Sequence, residues 1–215
     1  MDKRIQRMRR ITALLEERYR DELRHNGEKP SPFKTLIGCV LSQRTRDVNA
    51  KKAAEALFTV AEGPEDILKL GKNRLTRLIR CSGFYNQKAR YVRGICEALV
   101  KEFDGCVPND REHLLSLPGV GPKTADIVLS YAFNMPAIAV DVHVETVAKR
   151  LELVEGEADL EEVKRALEAL VSPENRRLVD SAFVRFGKEF CRSRAPRCGQ
   201  CFLKPLCDHP RSMRV

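Results

Sequence analysis

Across 215 residues, only the stretch from Ala137 to Val144 (AIAVDVHV) has the composition of a β-strand. One strand has no partner with which to build a sheet, and the remaining periodic stretches repeat their apolar residues at steps of three and four. The chain is therefore read as all-α. In residues 3 to 24, Ile5, Met8, Ile11, Leu14 and Leu15 mark the apolar face of an amphipathic helix with a basic opposite face, and Asn26-Gly27 before Pro30 and Pro32 is its stop. Further helices are expected over about residues 32 to 43, 46 to 59, 64 to 69, 74 to 80, 86 to 103, 110 to 116, 122 to 133, 142 to 151, 159 to 171 and 174 to 190. Asp47, Pro64, Asp110, Asp141, Asp159 and Ser172 stand near helix starts, and Gly63, Gly71, Gly105 and Gly156 fall between periodic segments.

Charge narrows the choice of partner. Lys and Arg number 39 against 30 Asp and Glu, a net +9 that favours an anionic partner. Residues 1 to 24 hold eight basic and five acidic side chains, and residues 191 to 215 hold six basic and one acidic. Almost the whole excess thus sits at the two chain ends, which are read as two ordered basic surfaces. With 43% hydrophobic and 32% charged residues the chain is not globally disordered. No apolar run approaches the ~20 residues of a bilayer span. Met1 to Arg10 lacks the apolar core of a signal peptide, so an intracellular location is expected, with cysteines reduced or metal-bound.

Cys191, Cys198, Cys201 and Cys207 have the spacing C-x6-C-x2-C-x5-C. Four thiolates this close predict a metal centre, and all-sulfur ligation suits zinc or an iron–sulfur cluster; spacing alone does not choose. Arg192, Arg194, Arg197 and Lys204 interleave with these ligands and would present cations to phosphates from a rigid loop. Cys39, Cys81, Cys96 and Cys106 lack short mutual spacing and are expected to be buried free thiols.

Leu117 to Thr124 (LPGVGPKT) lies between two helical segments. Gly119 and Gly121 allow a tight reversal, Pro122 suits a first helical turn, and the N–H groups around Val120 would form an anion site. A plain αα-corner explains the same glycines equally well. Lys123 would stand in the first turn, where the dipole disfavours its cationic form and so favours a nucleophilic amine. Asp141 precedes a helix and reads as an N-cap whose carboxylate could also stabilise a developing sugar cation. His143 reads more readily as a structural histidine than as a general base.

Together these segments resemble the endonuclease III branch of the helix-hairpin-helix DNA glycosylases. The likeness rests on LPGVGPKTAD (Leu117 to Asp126), AVDVH (Ala139 to His143), GFYNQKA (Gly83 to Ala89), LSQRTRD (Leu41 to Asp47) and the cysteine spacing. It implies a two-lobed fold: a six-helix barrel over residues 25 to 135, and a second lobe made of residues 1 to 24 with 136 to 215, carrying the cluster loop at 191 to 207. DNA is expected across the cleft between them. The resemblance also implies a [4Fe-4S] cluster on the four cysteines, Lys123 as the nucleophile at C1′ of a flipped nucleotide, and Asp141 as the assisting carboxylate.

The implied activity is that of a bifunctional glycosylase and abasic-site lyase removing oxidised pyrimidines, acting as a monomer on double-stranded DNA with a damaged base or abasic site. The loops at Gln43 and Arg44 and at Phe84 match the family's wedges, with Arg44 where glutamine is common and Phe84 where leucine is common. Pro122 replaces a frequent basic residue. Gly119, Val120, Gly121, Thr124 and His143 complete the expected DNA contacts. Two alternatives stay open: a monofunctional mismatch or alkylated-base glycosylase on the same fold, and a non-catalytic DNA-binding module with structural zinc.

Overall fold

Side-chain capping fixes four of the described helix starts, Ser31 serving the helix that begins at Pro32. The computed structural model describes residues 3–23, 30–207 and 209, apart from the side chain of Glu22. The expected stop at Asn26-Gly27 lies outside them. Among the described residues the chain forms helices α1 (Lys3–Leu23), α2 (Pro32–Ser42), α3 (Asp47–Phe58), α4 (Pro64–Leu78), α5 (Tyr85–Glu102), α6 (Arg111–Ser116), α7 (Pro122–Ile127), α8 (Val142–Arg150), α9 (Leu160–Leu170) and α10 (Arg176–Glu189), with no strand. Asp110, Asp141 and Asp159 are side-chain N-caps, and Asp159 forms a reciprocal capping box with Glu162. Asp47 instead occupies the first helical position after Arg46.

Of three expectations about these elements, two are met and one is corrected. The segments expected at 64 to 69 and 74 to 80 both form and meet within α4 across a kink at Gly71, whose φ of 70° and ψ of 159° are not helical. The helix expected over 122 to 133 tightens only as far as Ile127 and then widens into a π-helical turn at Val128–Ala132. As expected of a run with no partner, the strand-like Ala137 to Val140 forms no strand, and it is buried. Its polar groups go to α9 instead: Ile138 N–H donates to Glu168 at 3.0 Å, and its carbonyl accepts from Lys164.

The chain divides into two units, Lys29–Met135 and Met1–Glu28 with Pro136–Val215. The first holds α2 to α7 around Leu36, Ile37, Val40, Leu57, Ile95 and Leu99. The second is cored by Met8, Ile11, Leu15 and Tyr19 of α1 against Val144, Val147, Phe183 and Phe186 of α8 and α10. Here α1 is held by Arg18 to Glu189 at 2.9 Å, by the Tyr19 hydroxyl to Glu189 at 2.9 Å, and by Arg7 donating to the Leu206 carbonyl. Lys3, Arg4, Arg9, Arg10 and Arg20 stay exposed, so the helix carries the expected basic face. No helix among the described residues is long and apolar enough to cross a membrane.

Candidate active site

The turn between α6 and α7 is locked from both sides. Gly119 has φ of 74°, and a Cβ there would lie 2.4 Å from Cδ2 of Tyr91 on α5. On its other side the Gln43 amide donates to the Gly119 carbonyl at 2.8 Å. Pro118 rests against Gly94, and Leu117 and Val120 are buried, so the reversal is anchored in the core. Gly121 is ordinary extended backbone at φ of −103°, with nothing within 4 Å of an added Cβ. Only one of the two turn glycines is therefore required. Gly119→Ala is expected to lower stability by about 1–3 kcal/mol, through left-handed strain plus the Tyr91 clash, while Gly121→Ala stays within about 0.5 kcal/mol. Thermal unfolding of the two variants checks this.

Lys123 is exposed in the first turn of α7 and opens onto a cleft of about 560 Å³, enough for a nucleoside. Gln43, Arg44, Phe84 and Thr124 line the same cleft. Two of them have unusual backbones: Arg44 at φ of 49° and Phe84 at φ of 57° are left-handed non-glycine residues. Such strain persists where surrounding structure over-determines it, and it concentrates at functional loops. Phe84 is 61% exposed, which removes it from the core, and Arg44 lies in a loop rather than on a helix face. Gln43 points into the hairpin, and the Thr124 side chain is buried.

Three further residues of the cleft escaped the sequence reading. Tyr91 buttresses Gly119, and its hydroxyl accepts from Gln87 at 2.7 Å. Cys39 reaches the cleft floor; burial pushes its thiol up to about 11, and the Lys123 charge works the other way. Lys88 is only 3% exposed, and burial pulls its ammonium down to about 8. A signal for Lys88 exists, because it occupies the first slot of the apolar stripe that continues through Val92, Ile95 and Leu99.

In the other unit, Asp141 Oδ1 accepts from His143 N–H at 2.8 Å and Val144 N–H at 3.0 Å. The N-cap reading is thus met. His143 packs against α10, where a Cβ on Gly187 would stand 2.8 Å from His143 Cβ.

Cys191, Cys198, Cys201 and Cys207 line one small cavity of about 20 Å³, with Phe186, Phe190 and Leu203 in its wall. Phe202 packs edge-on against both phenylalanines, with ring centroids 5.4 and 5.6 Å away. Burial raises the Cys191, Cys201 and Cys207 thiols, Cys201 to about 11, so a bound metal must supply the deprotonation that ligation needs. Arg150 ties the loop down, donating to the carbonyls of Arg192 at 2.7 Å and Ser193 at 3.0 Å. No three His, Cys, Asp or Glu among the described residues are grouped to hold a single ion. Arg192, Arg194, Arg197 and Lys204 are all exposed. Of the other cysteines Cys96 is buried and Cys39 half-buried, but Cys81 and Cys106 are exposed, correcting the expectation of four buried thiols.

A locked hairpin between two short helices, an exposed lysine just after it and two strained loops around one cleft define a helix-hairpin-helix protein of the DNA-repair type. The HhH-GPD superfamily of base excision DNA repair proteins matches residues 37–173. The chain is 42% identical over 183 residues to endonuclease III of Thermotoga maritima, covering 85% of each chain. It is similar to the solved structure of a trapped endonuclease III–DNA covalent intermediate, an estranged-adenine complex, with TM-score 0.88, 35% identity and 100% of each chain covered. A thermostable thymine-DNA glycosylase also matches, with TM-score 0.87, 25% identity, and 96% of this chain and 98% of that one covered. The chain belongs to the endonuclease III family of the HhH-GPD superfamily.

Proposed function

We propose that this chain is a bifunctional DNA glycosylase and abasic-site lyase of base excision repair that removes oxidised pyrimidines from duplex DNA. One observation carries the reading: Lys123 stands exposed in a nucleoside-sized cleft beside two strained loops, in a chain 35% identical to a protein solved as a trapped covalent intermediate with DNA. A base inside a duplex cannot be reached, so it must be extruded and its gap filled. Phe84 fills it by stacking, and Arg44 by hydrogen bonding to the orphaned base. The N–H groups of Gly119 and Gly121 hold a backbone phosphate, the Val120 N–H being donated to the Leu117 carbonyl at 3.1 Å, and the exposed Arg192, Arg194, Arg197 and Lys204 neutralise others.

The neutral Lys123 amine attacks C1′. The C1′–Nζ bond forms as the bond from C1′ to the base breaks, and the base leaves with that electron pair and takes a proton from solvent. The proton shed by the amine is the one O4′ gains when the sugar opens to a protonated Schiff base. Loss of a C2′ proton then breaks the C3′–O bond and expels the phosphate, and water frees the lysine. Asp141 supplies the carboxylate that stabilises the developing sugar cation.

The four cysteines hold a [4Fe-4S] cluster. Sulfur donors spread around a cavity suit a cluster that takes one cysteine per iron, whereas a single zinc must draw all four to ~2.3 Å. The cluster's part is to order the loop that presents the cations. Purified protein should contain iron and sulfide; zinc without either would favour the structural-zinc alternative.

The decisive assay is a panel of defined lesions in duplex, each with and without borohydride. Oxidised pyrimidines should be excised with strand cleavage. Base release that leaves the abasic strand intact would favour a monofunctional enzyme.

A further inference from the structure

The geometry points to Lys88 as a positioning residue that fixes the Arg44 loop, the Phe84 loop and the hairpin in one register, so that the wedges meet the duplex together. This rests on the reading of Arg44 and Phe84 as wedges. Lys88 rises from α5 into the gap between the two loops. Its ammonium donates to the Leu41 carbonyl at 2.7 Å in the last turn of α2, to the Thr45 hydroxyl at 2.7 Å in the loop that follows, and to the Ser82 hydroxyl at 2.8 Å on the other loop. An ammonium has three donors and no acceptor, and here all three are used. The hydroxyls have their own acceptors: Ser82 donates to the Leu41 carbonyl at 2.9 Å and Thr45 to the Gln43 carbonyl at 3.2 Å. Both therefore offer the lysine their lone pairs, and the site demands the cationic donor.

The loops also touch directly. A Cβ on Gly83 would stand 3.2 Å from the Arg44 carbonyl and 3.2 Å from the Thr45 hydroxyl. From the same loop, Gln43 reaches the Gly119 carbonyl, which extends the network to the hairpin beside Lys123. Arg44 and Phe84 each hold a left-handed backbone that a loop released from such ties would relax. Lys88 itself touches no wedge side chain in this network. It acts through the backbones that carry them.

The test compares two single-turnover reactions at neutral pH: excision of an oxidised pyrimidine from duplex, which needs base extrusion, and strand cleavage at a preformed abasic site in single-stranded DNA, which does not. Lys88→Met keeps the length of the side chain and leaves both hydroxyls with their acceptors, so it is expected to fold with an undiminished melting temperature. Its duplex excision should fall at least tenfold, with single-strand cleavage within about twofold of wild type. Thr45→Val should reproduce part of the loss, and should add nothing in the Lys88→Met background.

Equal loss in both reactions, or wild-type duplex excision by Lys88→Met, overturns the proposal. Phe84→Ala and Arg44→Ala keep the two readings apart. Should both retain duplex excision, the wedge reading fails; should both lose it while Lys88→Met does not, only the positioning role fails. If Lys88→Met does not fold, the decision passes to Thr45→Val, whose wild-type duplex excision would equally overturn the proposal.

Discussion

Lys123→Gln is expected to abolish the borohydride-trapped complex with lesion or abasic duplex, and with it strand cleavage. A glutamine amide is not a nucleophile and cannot form a Schiff base, so no reducible intermediate arises. The residue is exposed at the start of α7, so the substitution opens no buried cavity. The variant should fold normally and still bind lesion DNA within a few fold, since the turn backbone and the cysteine-loop cations are untouched. Electrophoresis of the trapped complex, with a melting curve as control, reads both halves. A covalent complex of undiminished yield would move the nucleophile elsewhere and remove the lyase assignment from this residue.

The second large effect is expected at Asp141, to which the proposed function gives a second duty beside its observed cap. As an N-cap it accepts two N–H bonds through Oδ1, a duty asparagine performs about equally well. As the carboxylate at a developing sugar cation it needs its charge, which asparagine lacks. Asp141→Asn should therefore slow excision by about 10²–10³-fold with stability unchanged, the size of loss seen when one transition-state electrostatic contact is removed. Asp141→Ala should show the same slowing and lose a further ~1 kcal/mol of stability through the missing cap. Single-turnover rates and melting temperatures separate the duties. If Asp141→Asn excises at the wild-type rate, the residue is a cap and nothing more.

Much of this was legible without coordinates because it depends on neighbours in the chain. The caps at Asp110, Asp141 and Asp159 bond to N–H groups two or three residues on, so a short window holds all the information. The same is true of the turn from Leu117 to Pro122 and of four cysteines within seventeen residues. Beyond the short window, distant partners decided. Ala137 to Val140 has strand-like composition because apolar β-branched residues mark burial as readily as pairing, and it forms no strand. Its polar groups are met by Lys164 and Glu168, at separations of 26 and 30 residues. Cys81 and Cys106 were assigned to the core by residue type, yet lie at the surface.

The sequence by itself determined the helical architecture, the hairpin that presents Lys123, the four-cysteine spacing and the family. Only the tertiary structure decided what each loop does. It turned Gln43 inward to the Gly119 carbonyl 76 residues away, set Phe84 out into solvent, and buried the cation of Lys88 between two loops, 47 residues from the Leu41 carbonyl. The physical reason is that exposure, a left-handed backbone and a satisfied ammonium follow from which polar atoms meet after folding. Residue type and spacing do not record that meeting.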